Sequence, residues 1–167
     1  MDIAAWRRSA GTSQLLARAE ERIASLPVPD GELVLVHGDL WQGNTLWTGD
    51  SCTGMIDWDA AGAGSPGIDL GTLRLDVAVF FGSSPLAGTG LPPAGEVLAG
   101  WQQAAGRPAE HVAYWDAAAA LCTVGDMACC LPGNMLREIG RPDLNAALLT
   151  ARRDAFLAAA LDELDSR

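Results

Sequence analysis

The segment His37-Gly38-Asp39-Leu40-Trp41-Gln42-Gly43-Asn44 constrains this chain more than any other. It directly follows the apolar stretch Leu33 to Val36, which has the length and composition of a buried strand. A second acidic cluster, Ile56-Asp57-Trp58-Asp59, lies beyond a segment that reads as a hairpin. Asn44 to Thr48 and Thr53 to Asp57 form its arms, with Gly49-Asp50-Ser51 in the turn. A hairpin returns the chain to its starting point, so Asp39, Asn44 and Asp57 are expected to converge. Two carboxylates and an amide supply the oxygen donors that magnesium prefers. A carboxylate that orients a hydroxyl, next to such donors, is what magnesium-assisted phosphoryl transfer requires.

The spacing H-x-D-x-x-x-x-N followed by a later Asp is the catalytic-loop pattern of kinases, with Asp as base and Asn on a metal. Gly64-Ser65-Pro66 and Asp69-Leu70 extend the pattern. Together these motifs resemble the aminoglycoside phosphotransferase family, which also takes in choline, homoserine and fructosamine kinases. The resemblance is specific over residues 33–82 and continues as a helical pattern to the C-terminus. It implies Asp39 as the catalytic base and Asn44 and Asp57 as metal ligands. It also implies that His37 braces the loop and that Asp69 holds it by hydrogen bonds from the start of the next helix. The implied cofactors are Mg2+ and a phosphoryl donor, ATP or GTP, and the implied acceptor is a hydroxyl of a small molecule. Strand alternation would put Asp59 on the same face as Asp57, as an accessory metal contact or as an exposed carboxylate. Ser65 departs from the many members that carry Asp before this Pro; the change bears on loop anchoring and not on the catalytic positions.

Kinases also use a glycine-rich loop over the phosphates and a lysine that pairs with them. All 11 basic residues here are arginines, and no G-x-G-x-x-G precedes the motif. The expected architecture is therefore α+β: a mostly helical, protein-kinase-like C-lobe with a small β-hairpin at the catalytic end and the N-lobe absent. One domain spans residues 1–167, divided into an N-terminal helix and linker (1–31), a catalytic core (32–82) and a helical subdomain (83–167). A fragment of a longer enzyme, half of a split kinase and an inactive remnant all fit. Two functional classes follow. One is phosphoryl transfer from ATP or GTP to a small-molecule hydroxyl, with or without activity of the chain alone. The other is a non-catalytic binding or regulatory lobe derived from such a kinase. A lobe without its partner exposes apolar surface, so an N-lobe polypeptide or a homodimer is expected.

The net charge of −10 argues against a nucleic-acid partner, because a phosphate backbone needs a basic face. It suits a cationic acceptor and equally suits plain solubility. No apolar run approaches a membrane span, and Met1 to Arg8 lacks a signal-peptide pattern, so no membrane partner and a cytoplasmic location are expected. Cys52, Cys122, Cys129 and Cys130 have no metal-ligand spacing, and Cys122 and Cys129 read as small buried residues.

Leu15, Ala19, Ile23 and Leu26 predict a helix capped by Thr12 or Ser13 and ended by Pro27. A strand is expected over residues 32–36 and a helix over 69–81, with Leu70, Leu73, Val77 and Phe80 on one face. Residues 82–95 read as a loop; the resemblance implies that it borders the acceptor pocket as a variable lid, and a plain surface connection fits equally. Helices follow over 94–105 and 109–131, and a last one starts at Pro142 with Leu157, Leu161 and Leu164 on one stripe. Asp116 and Asp126 are candidates for amine binding at the acceptor, and His111 reads as an exposed first-turn residue. Trp41, Trp47, Trp58, Trp101 and Trp115 share no spacing and read as packing.

Overall fold

The structure, a computed structural model, describes residues 13–84, 92–123, 127, 141 and 143–166. Helix α1 spans Gln14–Ala24, and the Ser13 hydroxyl caps it by accepting the Leu16 amide at 3.2 Å. Leu16 and Ala19 are its buried residues, while Leu15 and Ile23 pack only partly. Strand β1 is Val34–Val36, shorter than expected at its start. It pairs antiparallel with β4, Gly62–Gly64, through Val34 opposite Gly64 and Val36 opposite Gly62. Between them, β2 (Thr45–Thr48) and β3 (Ser51–Met55) form the expected hairpin, with a bulge between Leu46 and Trp47.

Four further elements complete the described chain in sequence order: α2 Gly67–Phe81, α3 Pro93–Ala105, α4 Val112–Leu121 and α5 Ala146–Asp165. The class is α+β, mostly helical, with two small antiparallel pairs at one end. Among the described residues no helix is long and apolar enough to cross a membrane.

The core lies where α2, α4 and α5 meet, with α1 against it. Leu75 and Val79 from α2, Ala117 and Ala120 from α4, and Leu149, Leu157 and Leu161 from α5 fill it. Full burial of each leucine is worth about 2 kcal/mol. Helix α2 crosses so close to α4 that a Cβ at Gly71 would strike the Trp115 carbonyl. The expected single stripe on α2 is corrected: Leu70, Leu75, Val79 and Phe80 are buried and Leu73 and Val77 only partly, because α2 has neighbours on several sides.

Three helix boundaries also differ from the sequence reading. Helix α4 starts at Val112, with His111 exposed at its N-cap, and stops at Leu121, where the Cys122 amide bonds back to Ala119. Cys122 is exposed there, not buried. Helix α5 starts at Ala146 and not at Pro142, because the Asn145 side chain caps it by accepting the Leu148 amide at 3.0 Å. Asp126, Cys129, Cys130, Pro142 and half of the 82–95 loop (residues 85–91) lie outside the described residues.

Candidate active site

Strand β1 delivers the chain into the 37–44 loop, and α2 holds that loop with two carboxylates. Asp69, in the first turn of α2, accepts the His37 amide at 2.7 Å and the Gly38 amide at 2.9 Å. Asp76, two turns further on, accepts the Gln42 amide at 3.1 Å. The loop can turn this sharply because Gly38 sits at φ +81, where a Cβ would collide with the Ala60 carbonyl. The sequence reading named Asp69 and missed Asp76. The seven-residue spacing between them was the signal, since it returns to the same helical face.

His37 is buried and wedged between the loop and the strand ahead of Asp57. Its Nδ1 accepts the Asp39 amide at 3.3 Å, so the proton belongs on Nε2, which donates to the Ile56 carbonyl at 2.8 Å. The Trp58 ring stands 4.7 Å from the imidazole, centroid to centroid. Imidazole and indole thus tie together the two segments that bear the acidic clusters.

Asp39 is exposed and Asn44 is buried. The Asn44 amide nitrogen donates to the Asp39 carbonyl at 2.9 Å and to its carboxylate at 3.2 Å. The amide nitrogen therefore faces Asp39, and the amide oxygen is the end suited to a cation. The Ile56 amide donates to the Asn44 carbonyl at 3.0 Å, which continues the β2–β3 ladder by one step. Asp57 follows at once, exposed and at φ 62, in the left-handed region that Asp tolerates better than most side chains. Backbone strain of about 1 kcal/mol is typical of such a residue.

Asp59 is not carried by a strand. Strand β3 ends at Met55, and Asp59 sits exposed in a 3₁₀ turn, Trp58–Ala60, so alternation does not pair it with Asp57. Among the described residues no three His, Cys, Asp or Glu side chains form a metal-holding group. Asn44 is bonded to Asp39, and Asp57 follows the residue whose amide bonds to the Asn44 carbonyl, so chain and hydrogen-bond connection bring both residues to the loop.

Asp116 does not face an acceptor. It is buried, and its carboxylate takes the Arg74 guanidinium at 2.8 and 2.9 Å. Burial pushes its carboxyl above the ordinary value, and Arg74 pulls it part of the way back. Asp76 is also raised, to about 6, by burial, with the Gln42 amide opposing.

The tryptophans divide among separate contacts. Trp41 packs over Gly43, Trp58 against His37, Trp115 edge-on to Tyr114, and Trp101 beneath the Arg107 guanidinium.

A loop of this spacing, braced by a histidine and anchored to the following helix, is matched by one family description. The model described as "Phosphotransferase enzyme family" (APH) matches residues 2–121. The chain belongs to this family. The match covers the strand, loop, hairpin and anchoring helix together, so the resemblance read from the loop extends over α1 to α4. No curated protein matches the chain.

Proposed function

We propose that this phosphotransferase-family chain moves the γ-phosphoryl group of ATP or GTP to a hydroxyl of a small molecule. The observation that carries the reading is the Asn44 amide, which fixes the Asp39 carboxylate while its own backbone bonds to the residue before Asp57. Asp39, held in this way and open to solvent, would accept the hydroxyl hydrogen as the oxygen attacks phosphorus. Magnesium held by Asn44 and Asp57 would neutralise charge on the phosphates; two protein ligands are what this ion commonly takes, with phosphate oxygens and water completing its shell. His37 and Asp69 would keep these groups in place without touching the substrates. Leu46, Met55 and Ile56 are exposed apolar side chains on the hairpin, suited to lie beneath a nucleotide base or against a nucleotide-binding polypeptide.

The test titrates the full chain with magnesium and ATP, then GTP, following the Asn44 and Asp57 amides by NMR. Both should shift only when metal and nucleotide are present together. Asp39→Asn should keep those shifts and lose transfer to any acceptor that wild type phosphorylates. No shift with either nucleotide, or unchanged turnover in Asp39→Asn, would refute the assignment. A non-catalytic binding lobe is the second reading, favoured by the lack of any lysine to pair with phosphates. Nucleotide shifts without transfer to any acceptor would select it.

A further inference from the structure

Away from the catalytic loop, a cavity of about 490 Å³ opens between the end of α1, the linker after it, the start of α4 and the end of α5. Its volume is within the range of small-molecule sites. No residue of the 37–59 segment lines it. Leu26, Pro27, Val28 and Leu164 give it apolar walls, and His111, Ala113 and Tyr114 bring the first turn of α4 to it.

Two kinds of hydrogen-bond donor meet there without acceptors. The first is the start of α4, a helix of 10 residues that no side chain caps. His111, at the cap position, is left-handed at φ 53, away from the extended backbone from which a cap side chain reaches the amides. The first backbone bond of α4 runs from the Trp115 amide to the His111 carbonyl, so the Val112, Ala113 and Tyr114 amides lack an acceptor among the described residues. The second is Tyr114, which is only 8% exposed. Its hydroxyl has no partner among the described residues, yet it is not sealed from solvent. Helical side chains lean toward the start of their helix, which carries this hydroxyl to the same end as the free amides. A buried phenol and buried amides both normally find partners. Water can serve the donors, but it gains nothing from the apolar walls of the same cavity.

An acceptor is what these groups lack, and the positive end of α4 favours one that carries negative charge. Arg22 also lines the cavity and adds to that potential, although its guanidinium is already bonded to Asp165 and to the Leu164 carbonyl. Asp30 lines the cavity as well, exposed to water, and its charge favours a singly charged ligand over a doubly charged one. We propose that this cavity binds a small apolar carboxylic acid as its anion, with the carboxylate on the α4 amides and the Tyr114 hydroxyl and the hydrocarbon on Leu26, Val28 and Leu164. The site stands independently of the phosphotransfer reading, and its ligand sits apart from Asp39, Asn44 and Asp57.

The probe is hexanoate, added to the ¹⁵N-labelled full chain with the Ala113 and Tyr114 amide signals as reporters. Both should shift in a saturable way. Tyr114→Phe keeps the ring and loses the hydroxyl, and should weaken hexanoate about tenfold, the worth of one hydrogen bond to a charged group. Acetate has the charge without the chain, and hexan-1-ol the chain without the charge; each should bind far more weakly than hexanoate. Val28→Asp is a second variant, on a side chain 68% exposed, so the fold does not rest on it. A carboxylate on that wall should weaken hexanoate about fivefold by repulsion. No saturable shift in wild type, equal affinity in Tyr114→Phe, or acetate or hexan-1-ol binding as tightly as hexanoate overturns the site. Loss of phosphoryl transfer would count against the proposed function and not against this cavity.

Discussion

Asp76 offers a direct measure of how firmly α2 holds the loop. Its folded value is about 6 against an ordinary 3.8, a difference of about two units, and burial is the main cause. Each unit is worth about 1.4 kcal/mol, so the ionised folded form carries a penalty of about 3 kcal/mol. The sign follows from proton counting. Between about pH 4 and pH 6 the folded chain holds a proton on Asp76 that the unfolded chain has released. Stability from this group is therefore complete below the unfolded value and falls as pH rises through the folded one. Asp76→Asn removes the titration and keeps an oxygen that can accept the Gln42 amide. The variant should match wild type near pH 4 and exceed it at pH 7 by about 3 kcal/mol, because the folded value of about 6 already includes the opposing Gln42 hydrogen bond. Urea denaturation followed by tryptophan fluorescence across this range, analysed as variant minus wild type, cancels every other titrating group. A difference that is flat with pH, or a variant less stable at pH 7, would show that Asp76 is not buried and raised as argued. Asp76→Leu is the complementary control: it removes the charge but orphans the Gln42 amide, and should lie about 1–3 kcal/mol below Asp76→Asn at every pH.

Gly38→Ala should cost about 2 kcal/mol or more in urea unfolding, because the left-handed turn and the Ala60 carbonyl both reject a Cβ. Arg74→Ala or Asp116→Ala alone should cost about 3–5 kcal/mol by stranding a buried charge, while the double Arg74→Met, Asp116→Leu should cost far less; a cycle showing simple additivity would refute the pairing. The His37, Gly38 and Gln42 amides should exchange with deuterium as slowly as the α2 core, and those of the exposed β2–β3 hairpin faster.

The parts of the site that were legible in the sequence are those set by short chain distance. Asp39 and Asn44 are five residues apart in one tight loop, and their contact follows from that spacing. The hairpin was legible from its turn. Asp57 was placed beside Asn44 by the same logic, yet the left-handed backbone that ends the strand there was not, so the alternation argument for Asp59 failed. Asp116 was misread because its partner, Arg74, is 42 residues away and no local pattern joins them. The start of α5 was misplaced because Pro142 and Asn145 both carry helix-start signals, and the cap hydrogen bond decides for Asn145.

One helix connects these observations. At about 100° per residue, Asp69 and Asp76 fall within about 20° of each other around α2, and Arg74 lies about 140° from Asp69. The face bearing the two carboxylates grips the loop, the side bearing Arg74 grips α4, and Gly71 lets the two helices close up. The loop is thus bolted to the same rigid body that forms the hydrophobic core, while the hairpin beside it touches that body far less. The loop backbone around Asp39 is held by its connection to the core, while the Asp39 carboxylate is held by Asn44, which joins the hairpin through the Ile56 amide. A chain built in this way can keep a formed loop whether or not a nucleotide-binding partner is seated. That is why the order of the loop's carboxylate and amide can be probed in this polypeptide alone.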